Sequence, residues 1–303
     1  MLTDEEVELY RRAGHIALQV KKDVERLIKP GVSVLEICEF VERRIIELGG
    51  RPAFPCNFSI NEVAAHYTAL PNDELRVPEN SVVKIDIGVH VQGYIADTAI
   101  TISLTPRYEN LVLAAKEALE KALEIIKPGI RVNEIGAVIE RVAKSYGVKP
   151  VKNLGGHNLA PYTIHAGESI PNYRDFLSLW KIKNESAYAI EPFVTNGAGV
   201  VKEGNIVAIY ALKKAFKVKS LKRDELKVFT YLSKKFKTLP FCIRWLHDLE
   251  LPEENIISVL EKLSKRGILH KYPILVEVKK GIVAQFEDTI IIHRGEVIVT
   301  TRS

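Results

Sequence analysis

Cysteine is scarce in this sequence. Cys38, Cys56 and Cys242 are an odd number, and no two stand in a Cys-X-X-Cys pair. That excludes a disulfide framework and a thiolate metal cage, and leaves three reduced thiols. No window approaches the ~20 continuous apolar residues of a membrane span. The start, MLTDEEVELYRRAG, is acidic and then amphipathic, without a secretion signal's apolar core, so a cytoplasmic location is expected. Glutamine occurs three times and methionine once, whereas Lys, Arg and Glu abound. That composition leans toward a thermophilic source.

A net positive charge is also missing from most of the chain, although the formal net charge is +5. Residues 213–237 hold ten basic side chains and two acidic ones, a net +8, so the remainder carries −3. Basicity so confined does not describe a nucleic-acid binder. A solvated face is the ordinary reading, and a docking surface for an anionic partner such as ribosomal RNA is the minority one.

One stretch occurs twice. IKPGVSVLEICEFVERRIIELG (28–49) and IKPGIRVNEIGAVIERVAKSYG (126–147) share Ile-Lys-Pro-Gly and six further positions at an offset of 98. Each follows a helical run (4–27 and 108–125), and in each Pro-Gly ends that helix before another begins. Strands are expected at 81–104, near 162–166, 187–194 and 206–212, and in the final IVAQFEDTIIIHRGEVIVTT. Helix pairs with mostly antiparallel strands, duplicated, predict an α+β fold with pseudo-twofold halves. Residues 213–275 interrupt this pattern with three short helices and then HKYPILVEVKKGIVAQ, read as two strands. Three helices and a hairpin suggest a winged-helix-like insertion. A structural insertion is favoured over sequence-specific DNA binding, because fold likeness alone does not specify function. The expected division is 1–212 with 276–303 as one domain and 213–275 as an inserted subdomain.

The chemistry begins in KIDIGVHVQGYIADTAIT. Asp86 and Asp97 lie in apolar strand sequence, where an ionised carboxylate needs a partner. A tight turn at Val91-Gln92 would set them directly opposite on one face. Facing carboxylates require a cation between them or a shared proton. Glu191 in AYAIEPFV and Glu287 in VAQFEDTIII are equally misplaced. Four buried carboxylates match two divalent cations in charge, and oxygen ligands with imidazole suit Mn, Fe, Co or Zn. GGHNLAPYTIHAG (155–167) puts two histidines eight residues apart among glycines. Such pairs bind nothing more often than they bind a metal, so they gain meaning only from those carboxylates. His90 is expected to face away from Asp86, and His247, His270 and His293 to be surface or loop residues.

In order, Asp86, Asp97, His157, Glu191 and Glu287 resemble the five-ligand site of the methionine aminopeptidases with the pita-bread fold, in peptidase family M24. The words NEVAAHYTA, KIDIGVHVQGYIADTA, GGHNLAPYTIHAG, AIEPF and QFEDT carry the likeness over nearly the whole chain. The insertion and the 157/165 spacing resemble the type 2 class, in its archaeal form. The resemblance implies two divalent metals (Co, Mn, Fe, Zn or Ni), with Asp86 chelating one, Asp97 and Glu287 bridging, and His157 and Glu191 completing the other shell. It also implies that Glu191 shuttles a proton and that His66 and His165 bind the substrate and the tetrahedral intermediate. Phe54, Ile164, His165 and Pro240 would line the methionine pocket, and no pocket residue is carried over from 206–216. The implied reaction is removal of the initiator methionine from nascent chains with a small second residue, by a cytoplasmic monomer without membrane contact. X-Pro peptidases share the fold and the ligands, but usually add an N-terminal domain and space their histidines differently.

Overall fold

The computed structural model describes residues 2–213 and 221–302. The first half runs α1 (Asp4–Glu25), α2 (Val34–Glu47), β1 (Arg51–Pro52), β2 (Asn57–Ile60), β3 (Val63–Ala65), β4 (Val82–Val91) and β5 (Tyr94–Ser103). The second runs α3 (Glu109–Ile125), α4 (Val132–Ser145), β6 (Lys149–Pro150), β7 (Gly155–Leu159), β8 (Ser169–Pro171), β9 (Ser186–Ile190), β10 (Phe193–Thr195) and β11 (Val201–Leu212). After it come α5 (Arg223–Lys235), β12 (Phe241–Cys242), a 3₁₀ turn (Ile243–Leu249), α6 (Glu253–Lys265), β13 (Leu269–Glu277), β14 (Val283–Gln285), β15 (Asp288–His293) and β16 (Glu296–Val299).

The repeat is structural as well as textual. α2 and α4 keep the offset of 98 at both ends. In each copy the Pro-Gly glycine is left-handed, Gly31 at φ 83° and Gly129 at φ 85°, a conformation that glycine adopts without steric cost. The Gly31 N–H donates to Val77 O at 2.8 Å and the Gly129 N–H to Ile182 O at 2.8 Å. The copies differ in capping. Ser33 accepts from the Glu36 N–H at the start of α2, whereas Arg131 at the start of α4 makes no such bond.

α1 begins at a reciprocal cap between Thr3 and Glu6. It buries Val7, Tyr10, Ala13, Ala17, Val20 and Val24, spaced by three and four residues. Each larger apolar side chain so buried stabilises the fold by ~1.5–3 kcal/mol. Gly14 lets this helix approach the end of the chain, since a Cβ there would meet Thr300 O at 2.0 Å.

β4 is flanked by β1, β2 and β5, while the second half builds the order β16-β15-β9-β7-β8. An isolated bridge from Ala99 on β5 to Glu287 helps to join the two halves. The apolar clusters of the two halves meet at Phe286, which packs against both.

The expected winged-helix-like hairpin is not formed. β13 pairs instead with β11 and β3, while β14 pairs with β10 in another sheet. Lys280 and Gly281 lie between them, and Glu277 accepts the N–H groups of Lys279 and Gly281, which shapes a bend rather than a two-strand wing. The helices α5, 243–249 and α6 do share a core, with Val228, Leu232, Leu246, Val259 and Leu263 buried. Residues 162–166 form no strand. Tyr162 is left-handed at φ 57°, which interrupts an extended run. Of the basic run, Lys214, Lys217 and Lys219 lie outside the described residues.

Candidate active site

Glycine fixes the register of the β4–β5 hairpin. Gln92 and Gly93 have φ values of 53° and 99°, and Val91 pairs with Tyr94. A two-residue turn with both central residues at positive φ needs glycine inside it, not beside it. The expected turn at Val91-Gln92 is therefore displaced by one residue. Asp97 pairs with Gly88, and Asp86 pairs with Ala99. The two carboxylates are diagonal neighbours rather than opposites, but they remain on one face.

The other acids sit at strand interruptions. Glu191 lies between β9 and β10, and Glu287 between β14 and β15. Mutual backbone bonds pin Glu287 to Ala99, at 3.1 and 3.2 Å. His157 is on β7, with Nε2 3.7 Å from Asp97 Oδ2 and 3.6 Å from Glu191 Oε1. Asp97, His157 and Glu287 each bring one ligand atom within 4.8 Å of the others. Gln285 donates from Nε2 to Glu191 Oε2 at 3.2 Å and to Glu287 Oε2 at 3.3 Å.

The electrostatics are those of an incomplete site. Burial, followed by the neighbouring carboxylates, pushes Asp97 and Glu287 well above the ordinary carboxylate range. Burial and then Asp86 do the same to Glu191. Asp86 is raised to about 7, chiefly by burial. Buried atoms without a hydrogen-bond partner include Asp86 Oδ1, Asp97 Oδ1, Glu287 Oε1 and His157 Nδ1. Orphaned carboxylate oxygens converging with one neutral imidazole form a donor set that fits divalent metal.

Two further histidines face the same cavity. Burial lowers both His66 and His165 to about 4, so both are neutral imidazoles at pH 7. His66 Nδ1 lies 3.2 Å from Pro273 O. A carbonyl only accepts, so Nδ1 carries the proton and Nε2 is left as an acceptor. The His165 ring packs edge-on to His157 with centroids 4.5 Å apart. Tyr272 contacts both, at 5.4 Å from His66 and 6.2 Å from His165.

The cavity is about 530 Å³ and is lined by all ten residues singled out from the sequence: Phe54, His66, Asp86, Asp97, His157, Ile164, His165, Glu191, Pro240 and Glu287. Phe54, Ile164 and Leu239 share one apolar cluster.

Several lining or supporting residues escaped the sequence reading. Gln285 is two residues before Glu287, a spacing that shares a strand face and could have exposed it. Ile209 lines the cavity from 206–216, the segment from which no pocket residue was taken. Tyr272 and Asn57 carried no local signal; Asn57 is identified only by pairing with Asp86 across β2 and β4. His90 corrects a parity error. Four residues from Asp86 is an even spacing, so both share a face. His90 lies nearer the turn, accepts the Gly93 N–H at 3.1 Å and packs on Tyr162. His293 is not a free surface residue either, since it bridges Glu185 and Asp4 at 3.0 and 3.1 Å.

Duplicated halves around a buried carboxylate–imidazole centre define a metallopeptidase. The model for metallopeptidase family M24 matches residues 8–294, and the chain belongs to that family. It is 45% identical over 302 residues to the methionine aminopeptidase of Saccharolobus solfataricus, covering 100% of both chains. It is 46% identical to that of Thermococcus onnurineus, covering 98% of this chain and 100% of the relative. Among solved structures, a thermophilic Arx1 matches with a TM-score of 0.86 at 18% identity, covering 99% of this chain and 91% of the other. A methionine aminopeptidase from Thermotoga maritima matches at 0.71 and 23%, covering 100% and 98%. These two likenesses speak to the fold alone.

Proposed function

We propose that this protein is a methionine aminopeptidase that removes the initiator methionine from nascent chains, preferring a small second residue. The observation that carries the reading is the pairing of buried, partnerless carboxylate oxygens with an apolar cavity and two neutral histidines. Full-length identity of about 45% to curated methionine aminopeptidases supports it. The helix-rich segment before Glu287 and the eight-residue spacing of His157 and His165 favour the type 2 class. Residues 213–275 are read as its subdomain, supported by their shared apolar cluster.

Asp86, Asp97, His157, Glu191 and Glu287 would hold two divalent ions. Such ions, when bound, would lower the pKa of a water and polarise the scissile carbonyl. The remaining work belongs to side chains. Glu191, with one oxygen held by Gln285, would take a proton and return it to the leaving amine. His66 Nε2 accepts the scissile amide N–H. His165 donates to the oxygen that gains charge in the tetrahedral intermediate. Phe54, Ile164 and Pro240 enclose the methionine side chain, whose burial contributes ~1.5–3 kcal/mol to binding.

The deciding assay compares Met-Gly-type and Ala-Pro-type peptides side by side after metal reconstitution. Cleavage of the Met-Gly type is expected, and preference for the X-Pro substrate overturns the reading. Nascent substrates place the enzyme in the cytoplasm, and a monomer suffices because one chain supplies every group named. A transient ribosome contact through 213–237 is a second reading, supported by exposed Lys222, Arg223, Lys227, Lys234 and Lys237. It requires salt-sensitive co-sedimentation that disappears when these are neutralised.

A further inference from the structure

One buried ion pair joins three segments that adjoin cavity residues and lie far apart in sequence. Glu42, on α2, and Arg244, in the 243–249 turn, are a buried pair with side chains 9% and 6% exposed. The contact is two-pronged. Arg244 Nη1 donates to Glu42 Oε2 and Nη2 to Oε1, both at 2.8 Å. Oε2 also accepts from Trp245 Nε1 at 2.8 Å, and Oε1 from the Cys56 N–H at 3.3 Å. Arg244 further donates from Nε to Ala69 O at 2.7 Å and from Nη2 to Thr68 Oγ1 at 3.0 Å.

The partners follow cavity residues closely along the chain. Cys56 is two residues after Phe54, Thr68 two after His66, and Arg244 four after Pro240. Phe54, His66 and Pro240 all line the cavity. A buried ion pair is an inefficient way to stabilise a core, since apolar groups of equal volume do as well or better. What the fork adds is a fixed distance and angle between the elements it ties. Here those elements are α2, the segment after Phe54, the segment after His66, and the helical insertion.

We propose that Glu42 and Arg244 are positioning residues for the pocket that receives the substrate's first side chain. Their fork holds the Pro240 wall of the insertion at a set distance from Phe54 and His66, and that distance determines which first side chain fits. The inference rests on the peptidase reading and assigns the insertion a role in selectivity.

The test uses full-length, metal-reconstituted protein carrying Glu42→Gln, Arg244→Met or the milder Arg244→Lys, which keeps the charge and loses the fork. The readout is a ratio of kcat/KM values, for a peptide with the wild type's preferred first residue against one with the next-best unbranched or branched analogue. Misfolded or inactive molecules cancel in that ratio, so a purely structural role leaves it unchanged. The ratio is expected to fall about fivefold or more in every variant that retains activity, because a pocket that is no longer held rejects a misfit side chain less well. Arg244→Lys is expected to recover much of the thermal midpoint without recovering the ratio. An unchanged ratio in Glu42→Gln or in Arg244→Lys overturns the proposal. If the wild type's preferred first residue is not methionine, the functional reading falls, while the same ratio still judges the clamp.

Discussion

Ala99 and Glu287, 188 residues apart, exchange backbone hydrogen bonds at 3.2 and 3.1 Å. Those bonds join the two half-sheets at the residue whose carboxylate meets Asp97 and His157. Main-chain pairing, reinforced by the Thr289 hydroxyl that bonds both the N–H and the carbonyl of Asp97, brings the mutually repelling acids together.

His157 and His165 are stacked edge to face, but their substitutions should separate. His157→Ala is expected to leave the protein unable to retain metal through gel filtration. His165→Ala is expected to keep the metal and lower kcat by about 10²–10³, the usual loss for one donor to a developing oxyanion. Metal analysis beside kcat decides, and equal metal loss in both contradicts the division of roles.

The stability that metal confers should grow with pH. The four acids have folded pKa values raised above the unfolded value of ~4, Asp86 to about 7 and the others well above the ordinary carboxylate range. A raised value means the metal-free native state holds protons that the unfolded chain releases. The associated stability is fully present below about pH 4 and is lost as pH rises through the folded values. Metal binds the deprotonated acids, so added divalent metal should raise the thermal midpoint of chelator-treated protein more at pH 8 than at pH 5. A metal-induced rise that is no larger at pH 8 counts against the burial of these groups.

Gly88 tests the apolar wall. It lies across from Asp97, and a Cβ there would come within 2.2 Å of the Phe54 ring. Gly88→Ala should push that ring into the cavity. The expected result is a KM raised about tenfold with kcat nearly unchanged, the pattern of lost ground-state fit. Metal content should be unaffected.

Glu277 offers a test of stability away from the chemistry. It is fully buried and accepts N–H groups from Ala198, Gly199, Lys279 and Gly281. Glu277→Ala leaves those donors without an acceptor and should cost about 2–4 kcal/mol. Chemical denaturation measures the loss, and kcat per folded molecule should not change.

Local periodicity made much of this legible. The 98-residue repeat survives as matching helix ends and matching glycine turns, because turn chemistry is short-range. Strand alternation was enough to put Asp86 and Asp97 on one face, although the turn was misplaced by one residue. It would also have put His90 on that face had the spacing been counted correctly. What stayed hidden depends on distant pairing. The bridge that fixes Glu287, the Glu42–Arg244 fork and the contribution of Tyr272 leave no periodic mark, since each partner looks ordinary in its own neighbourhood. The two strands after the insertion read as a wing because they are adjacent in sequence, but they belong to different sheets.

The insertion between Glu191 and Glu287 has a consequence for how the molecule comes into being. Asp86 and Asp97 arrive together in one hairpin, but Glu287 follows Asp97 only 190 residues later. A partly synthesised chain thus carries an electrostatically relaxed, chemically silent half-site. Repulsion among the acids becomes acute only when the second half docks. Cation capture and docking of the second half are thereby coupled, and peptidase activity is withheld until synthesis has passed Glu287.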